Sequence, residues 1–335
     1  MASMKRIFRL SIALTLFLIL FGGVGCRQSK FKKEEGKITV TSVIFPSFDF
    51  VRAIAGDRVN LILLLSPGAE SHSFEPSPLD IINIRESDLF IYPGSENAKW
   101  VERILDSFGS SSHSPMQKMK VLKLMDMVEA VEEELVEGME DHHDDAHHHE
   151  DEHDKHDDAP SLDEHVWTSP RNAKVIVAAI TDALCELDGD NADYYRQNAA
   201  LYSLRLDELD AELRSVVGGA KRKTIVFGDR FPFRYLADAY GLEYFAAFPG
   251  CSTETEPSAT TVAFLINKVK SENIPVIFHI ELSNEKMADA ISEATGAKKL
   301  LLHSSHNVTK RDFDSGVNYV DIQKNNITNL KEALW

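Results

Sequence analysis

Histidine is concentrated in one short segment of this chain. Residues 141–158 read DHHDDAHHHEDEHDKHDD and hold seven of the 13 histidines, which are His142, His143, His147, His148, His149, His153 and His156. A segment this polar cannot bury an apolar core, so we expect it to be disordered without a ligand. Imidazole and carboxylate are ligand types that zinc, nickel and copper accept, and the segment therefore predicts metal capture.

The same segment contains an HExxH pattern at residues 149–153. In zinc proteases this pattern works because a rigid helix places both histidines on one face, with the glutamate beside the bound water. No apolar face is available here to pack such a helix, and a tract so rich in His and Glu produces the pattern by chance. We interpret the segment as a metal-capture loop rather than as a protease site.

Three histidines outside this loop lie where a cleft could form. His72 follows the apolar run at 59–65, His165 precedes a helix, and His303 follows a short predicted strand. In open α/β sheets, ligands bind beyond the carboxyl ends of the strands. These three imidazoles could therefore converge between two lobes. A structural, solvent-facing or surface-loop position is expected for the other three, which are His113, His279 and His306.

Strands and helices alternate along most of the mature chain, which is typical of a parallel α/β sheet. The predicted helices include 45–55, for which Ser47 is a candidate N-cap, 78–85 and 170–187, and one strand is predicted at 244–248. From Asn191 the apolar residues recur every three or four positions until Gly218, which predicts one helix of roughly 40 Å. The fold class expected is therefore two parallel-sheet α/β lobes bridged by one long α-helix. The predicted divisions are an N-terminal lobe at 38–187 with a His/acid-rich loop at 129–160, a linker helix at 188–219 and a C-terminal lobe at 220–335.

Charge and composition exclude several classes of protein. The 335 residues carry a formal net charge of −17, and residues 129–158 alone hold 15 acidic side chains against one lysine. The rest of the chain therefore carries about −3, and no basic face is indicated for nucleic acid. The three cysteines form no CxxC pair, which excludes a cysteine-based zinc finger.

The N-terminus reads as an export signal. Lys5, Arg6 and Arg9 precede a 12-residue apolar run at 10–21, followed by small residues that end at Cys26. The run is shorter than the roughly 20 residues of a spanning helix, so we predict a signal peptide at 1–25. The small residues before Cys26 resemble a bacterial lipobox, which predicts lipidation of Cys26 and a tether at 26–37. The mature protein should then work outside the cytoplasm, anchored to the cell membrane at the cell surface or in the periplasm.

Several segments resemble the zinc and manganese solute-binding proteins of bacterial ABC importers. The matching segments are VTSVIFPSFDFVRAIAGD, PGAESHSFEPSPLDI, DEHVWTSPRNA, DAYGL, TETEPS and ATGAKK, and they span almost all of the mature chain. The resemblance implies that the bridging helix is rigid and that the metal site lies in the interlobe cleft. The protein is then non-enzymatic and expected to be monomeric, captures Zn²⁺ in this cleft and delivers it to an ABC permease in the membrane. The resemblance also implies zinc rather than manganese, because the zinc members carry a His/acid-rich loop before the HVW segment.

The resemblance assigns metal ligands residue by residue. His72 and His165 match the two N-lobe histidines of the family, and His303 falls where the family usually has aspartate. Histidine also suits zinc, so the position can still ligate. Glu75 or Asp163 could fix the imidazole tautomers as hydrogen-bond acceptors, although both could equally be surface carboxylates.

The third family ligand, usually His or Glu, has no clear counterpart in VFGDRFPF. The position falls on Gly228 or Arg230, and neither can ligate, because arginine stays protonated and carries no free acceptor. Asp229 is the first candidate, Glu281 the second, and water could fill the position instead. Arg230 would then pair with a carboxylate such as Glu281, which would remove Glu281 from the ligand set.

Three other functions remain open at this point. The protein could be selective for manganese within the same family. It could be a zinc hydrolase with an open metal position and a general base. It could also be a surface lipoprotein that acts as an adhesin or a passive metal store.

Overall fold

The computed structural model describes residues 33–71, 74–94, 98–109, 118–139, 162–252 and 257–335. The signal peptide, Cys26, His72, His113 and the seven histidines of the 141–158 segment lie outside these ranges. What the sequence predicts for them stays a prediction. None of the helices in the described ranges is both long enough and apolar enough to cross a membrane.

Four parallel strands form the first sheet, in the order β2-β1-β3-β4. They are β1 (Thr39–Ser42), β2 (Asn60–Leu63), β3 (Leu89–Tyr92) and β4 (Lys120–Lys123), and the helices between them are α1 (Phe45–Ala55), α2 (Pro78–Arg85) and α3 (Lys99–Ser107). β1 and β3 are buried along their whole length, as expected for strands covered on both faces. The sequence analysis missed β4, because this half-buried edge strand has lysine at both ends and carries no apolar run.

Two long helices follow the first sheet: α4 (Pro170–Leu187) and α5 (Ala192–Gly218). The 27 residues of α5 correspond to about 40 Å, and its apolar positions, including Tyr202 and Leu209, are buried. This buried face packs against α1 and α4 of the first lobe and against helices of the second lobe. The long helix therefore belongs to both lobes, as predicted.

Four further parallel strands form the second sheet, in the order β10-β9-β5-β7, and two short strands, β6 and β8, pair beside it. The strands are β5 (Thr224–Phe227), β6 (Arg230–Phe231), β7 (Glu243–Phe245), β8 (Phe248–Pro249), β9 (Val276–His279) and β10 (Lys298–Leu301). The helices are α6 (Arg234–Tyr240), α7 (Ala259–Glu272), α8 (Lys286–Thr295), α9 (Lys310–Asp314) and α10 (Tyr319–Leu334). The single strand expected at 244–248 is divided into β7 and β8, because the Ala247 amide leaves the sheet to bond the Asp229 carbonyl at 3.1 Å. Two parallel-sheet lobes joined by one long helix confirm the predicted fold class.

At the starts of α1 and α4, no side chain makes the hydrogen bond of an N-cap residue. Ser47 was expected to cap α1, but the helix begins two residues earlier and the Ser47 hydroxyl instead bonds Ser42 Oγ at 2.6 Å. Ser169 does precede α4, yet its hydroxyl makes no cap bond and its buried oxygen has no partner among the described residues.

The C-terminal helix ties the second lobe to the first. Tyr319, at the start of α10, is fully buried, and its hydroxyl donates to the Trp167 carbonyl at 2.7 Å. Its backbone amide donates to Asp49 Oδ2, also at 2.7 Å. With α5, this helix gives the two lobes a shared core, which opposes rotation of one sheet against the other.

The acidic stretch before residue 140 also crosses between the lobes. We call residues 129–139 the strap. Its Val131 amide donates to the Tyr235 hydroxyl at 3.2 Å, and its Gly138 carbonyl accepts from Thr261 at 2.9 Å. On the far side of the 140–161 segment, the chain returns to the strap through a β-bridge between Leu162 and Glu132.

Candidate metal centre

Two histidines and one glutamate form a buried cluster between the lobes. The potential ligand atoms of Glu164, His165 and His306 all lie within 4.8 Å of one another. All three residues are buried, with His165 only 1% exposed. Buried imidazole and carboxylate groups this close together are the donor set that a structural or transported Zn²⁺ accepts at about 2.0–2.2 Å.

The cavity beside this cluster lies at the carboxyl ends of both sheets. It is lined by residues that follow β2, β5, β9 and β10, together with the segment before α4. Its volume is about 30 Å³, which suits a single ion and its nearest ligand atoms rather than an organic substrate. The position agrees with the general rule for ligand sites in open α/β sheets.

Trp167 of the HVW segment holds the two imidazoles in place. Its ring centroid lies 5.5 Å from that of His165 and 5.0 Å from that of His306, both edge-on. The Trp167 indole N–H donates to the Ser304 carbonyl at 2.8 Å, which connects the first lobe to the loop that carries His306. The rings are therefore fixed by packing before any ion arrives.

Asp163 orients the His165 imidazole. Its Oδ1 atom lies 3.0 Å from His165 Nδ1 and accepts the His165 backbone N–H at 2.7 Å. With Nδ1 engaged by Asp163, Nε2 is the ring nitrogen that could hold a metal ion. Burial alone would lower the pKa of His165, but the neighbouring carboxylates, Asp163 first and then Glu164 and Glu133, outweigh it, and the pKa is raised above its ordinary value of 6.5. Of the two acceptors considered from the sequence, Asp163 occupies this position, whereas Glu75 is exposed.

His306 was expected to be structural or solvent-facing, and the structure instead places it in the cluster. The imidazole lies with Nδ1 3.4 Å from the Ser71 hydroxyl. Its backbone amide donates to Glu281 Oε1 at 3.2 Å and to Ser304 Oγ at 3.1 Å. The His306 carbonyl accepts from the amide of Phe45 at 3.2 Å, so this loop touches the first lobe directly.

His303, the position chosen from the sequence, is not in the cluster. Its Nδ1 accepts the Ser305 amide at 3.0 Å, and its backbone amide and carbonyl both bond the Asn326 side chain at 2.8 Å. The chain reverses between the two histidines because Ser305 adopts a left-handed conformation with φ of 66°. Counting residues from the end of β10 cannot reveal this turn.

The two carboxylates chosen as the remaining ligand also have other partners. Asp229 accepts the backbone amides of Arg230 at 2.9 Å and Ile280 at 3.2 Å, and burial raises its pKa. Glu281 does line the cavity, but its two oxygens accept the amide and hydroxyl of Ser304 as well as the amide of His306. Both carboxylates are engaged in shaping loops at the site.

Arg230 also lines the cavity, and it pairs with Glu70 rather than with Glu281. Its two terminal nitrogens each lie 3.3 Å from a Glu70 oxygen, and one of them donates to the Ser252 carbonyl at 3.2 Å. Arg230 is only 7% exposed. A guanidinium thus stands in the part of the second lobe where the resemblance expects a metal ligand.

Cys251 lies near these groups but is poorly suited to bind a metal. Its amide donates to Glu133 of the strap at 2.7 Å, and burial raises the pKa of its thiol well above the ordinary value. A thiol must lose its proton to ligate zinc, and here the acidic neighbours oppose that loss.

Comparison with known proteins places this geometry in a family. Residues 40–333 match the family described as "ZnuA: Zinc-uptake complex component A periplasmic". The high-affinity zinc uptake system protein ZnuA of Bacillus subtilis (strain 168) is 32% identical over 323 residues, which are 96% of each chain. The Zn(II)-bound ZnuA-like domain of Streptococcus pneumoniae AdcA superposes with a TM-score of 0.69 at 29% identity, covering 89% of this chain and 99% of that domain.

The zinc-binding lipoprotein AdcA of Streptococcus pneumoniae (strain ATCC BAA-255 / R6) is longer than this chain. It is 32% identical over 332 residues, which are 98% of this chain but only 61% of AdcA. The similarity therefore concerns the part of AdcA that corresponds to this chain. The match over residues 40–333 and the full-length similarity to the Bacillus subtilis relative show that this chain belongs to the ZnuA family.

Proposed function

We propose that this chain is the extracytoplasmic zinc-binding component of an ABC importer, which captures Zn²⁺ between its lobes and delivers it to a membrane permease. The observation that carries the proposal is the buried Glu164–His165–His306 cluster at the carboxyl ends of both sheets. The Bacillus subtilis relative is named a zinc uptake protein, and the AdcA domain was crystallised with Zn(II).

The ligand set proposed is His72, His165, His306 and one carboxylate, Glu164. His72 is included on the family resemblance and because its chain neighbours Glu70 and Ser71 line the cavity. His303 is left out because it lies outside the buried cluster. Asp229 and Glu281 are left out because their oxygens already accept hydrogen bonds from backbone amides. Three neutral imidazoles and one oxygen favour zinc over manganese, which prefers more oxygen ligands.

Two further parts of the function rest on segments outside the described residues. We propose that the histidines of 141–158 raise the local zinc concentration near the cleft, and that a lipid on Cys26 keeps the protein beside its permease. The strap supports the first point, because the chain enters the 140–161 segment from contacts with the second lobe and returns to the strap at Leu162.

The test measures zinc affinity by competition with a chromophoric chelator, using purified mature protein. H165A and H306A should each weaken binding by more than the roughly 10–100-fold typical of a change outside the ligand shell. H303A is the matched control, because it removes an imidazole three residues away without removing a proposed ligand. It should stay within about tenfold of the unmodified protein.

The opposite ranking would refute this ligand set. If H303A lost tight binding and H306A kept it, the ligand position assigned to His306 would belong to His303. If neither H165A nor H306A changed the affinity, the buried cluster would not be the zinc site. Competition with Mn²⁺ in the same assay decides the selectivity within the family.

A further inference from the structure

The cavity holds a fixed positive charge where a metal ligand would be expected. Arg230 begins β6, shortly after the end of β5, and lines the same cavity as His165 and His306. A guanidinium carries a positive charge, five donors and no acceptor. It therefore cannot bind a cation and repels one at short range.

The position of this charge is set from the second lobe. The side chain donates to the Ser252 carbonyl at 3.2 Å, and the backbone amide of Arg230 donates to Asp229 at 2.9 Å. With only 7% of the residue exposed, solvent screens the guanidinium weakly.

Glu70 supplies the compensating charge from the first lobe. Both of its oxygens lie 3.3 Å from the Arg230 nitrogens, so the pair spans the cleft. Glu70 is 40% exposed, compared with 8% for the Arg230 side chain, so the carboxylate is the partner with more room to move. It also lies two residues before His72, on the loop that the family resemblance brings to the metal.

We propose that the Arg230–Glu70 pair sets the zinc affinity of this site: Arg230 weakens binding, and Glu70 offsets that effect. The inference rests on the proposed zinc-binding function. The pair lies where the family resemblance expects a ligand between residues 228 and 230. Zinc bound by the four proposed ligands then faces a cation across the cavity, which favours release to a partner.

A double-mutant cycle tests the proposal. R230Q removes the positive charge and should tighten zinc binding by ~10-fold or more, while E70Q should weaken it by ~10-fold or more. The double variant should fall between the two, with an affinity closer to that of the unmodified protein. R196Q is the matched control, because it removes the same charge from an exposed pair with Asp193 and should leave the affinity unchanged.

Two further measurements distinguish an effect of the Arg230 charge from a general disturbance of folding. R230K keeps the charge but loses the bidentate geometry, so it should bind zinc about as tightly as the unmodified protein if charge is what matters. The zinc dissociation rate, measured by stopped-flow transfer to a chelator, should fall in R230Q.

The outcomes separate this inference from the proposed function. If H306A loses tight zinc binding but R230Q binds no tighter than the unmodified protein, the inference is wrong and the proposed function stands. Weaker binding in R230Q would also overturn it, because the guanidinium would then support the site. If the unmodified protein binds no zinc tightly, the proposed function itself fails.

Discussion

Variants at Glu281 can show whether this residue only positions a metal ligand or is itself a metal ligand. It is 7% exposed in its side chain and accepts the Ser304 amide at 2.7 Å, the Ser304 hydroxyl, and the His306 amide at 3.2 Å. We predict that E281A lowers both zinc affinity and stability, and that E281Q largely preserves both.

The magnitude follows from the donors that E281A leaves behind. The Ser304 amide and hydroxyl lose the Glu281 carboxylate, whereas the His306 amide keeps Ser304 Oγ at 3.1 Å. A buried donor without a partner costs about 1–3 kcal/mol. We therefore expect a loss of about 2–4 kcal/mol in the free energy of unfolding of the metal-free protein. The loosened His306 should also reduce zinc affinity by about 10–100-fold.

E281Q is the matched control, since it keeps the shape of the side chain and only removes the charge. Its amide oxygen can still accept the Ser304 N–H, and its amino group can donate to the Ser304 hydroxyl. We expect the stability loss to stay near ~1 kcal/mol and the change in affinity below about tenfold.

The assay combines urea unfolding in the presence of a chelator with zinc competition titration. If E281Q lost as much zinc affinity as E281A while remaining stable, Glu281 would be a direct zinc ligand, as one of the sequence predictions has it. If E281A were as stable as the unmodified protein, the hydrogen bonds at residues 304 and 306 would not carry the energy assigned to them.

Three further predictions address the 140–161 segment, the interlobe contact and pH. Replacing residues 140–161 by a short Gly-Ser linker should reduce the number of zinc ions bound, counted by calorimetry, while sparing one tight site. Loss of that site would show that tight binding depends on this segment, which contributes no residue to the proposed ligand set. Y319F should lower the free energy of unfolding by about 1–2 kcal/mol, because the buried Trp167 carbonyl loses the hydroxyl bonded at 2.7 Å; an unchanged urea midpoint would contradict this. The Asp163–His165 pair raises the pKa of His165 in the folded, metal-free protein, so its stabilisation should be fully present below the unfolded value of 6.5 and lost as pH rises through the raised pKa. The difference in unfolding free energy between the unmodified protein and D163N should therefore shrink as pH rises, and a difference that grew would refute the sign.

The elements could be predicted from the sequence because their signals are local. The bounds predicted for α1, α2 and α4 agree with the structure, as does the end of α5 at Gly218. Each has a periodic apolar face or a proline near its start, and neither signal depends on distant contacts. β4 was missed because its burial depends on β3, which lies about 30 residues earlier in the chain.

The site was only partly predictable, because two of its features depend on contacts distant in sequence or on a single turn. His165 was found from its motif, but His306 was passed over for His303. The sequence HSSHN does not indicate that Ser305 adopts a left-handed conformation. The neighbouring Ser304 carbonyl accepts a hydrogen bond from the Trp167 indole, which belongs to the other lobe. The Arg230–Glu70 pair joins residues 160 positions apart, so no local pattern could indicate it.

The placement of these residues explains how the site tolerates an arginine. His306 brings an imidazole into the cluster from the same loop on which the sequence analysis sought a ligand. A neutral imidazole contributes no charge to oppose Arg230, so the compensation falls to the acidic residues around the cavity, Glu70 first among them. If the histidine at 306 and the arginine at 230 depend on each other, changing His306 to aspartate should lower the zinc affinity less in an R230H background than in the unmodified protein. Equal losses in the two backgrounds, measured by chelator competition, would show that the two positions act independently.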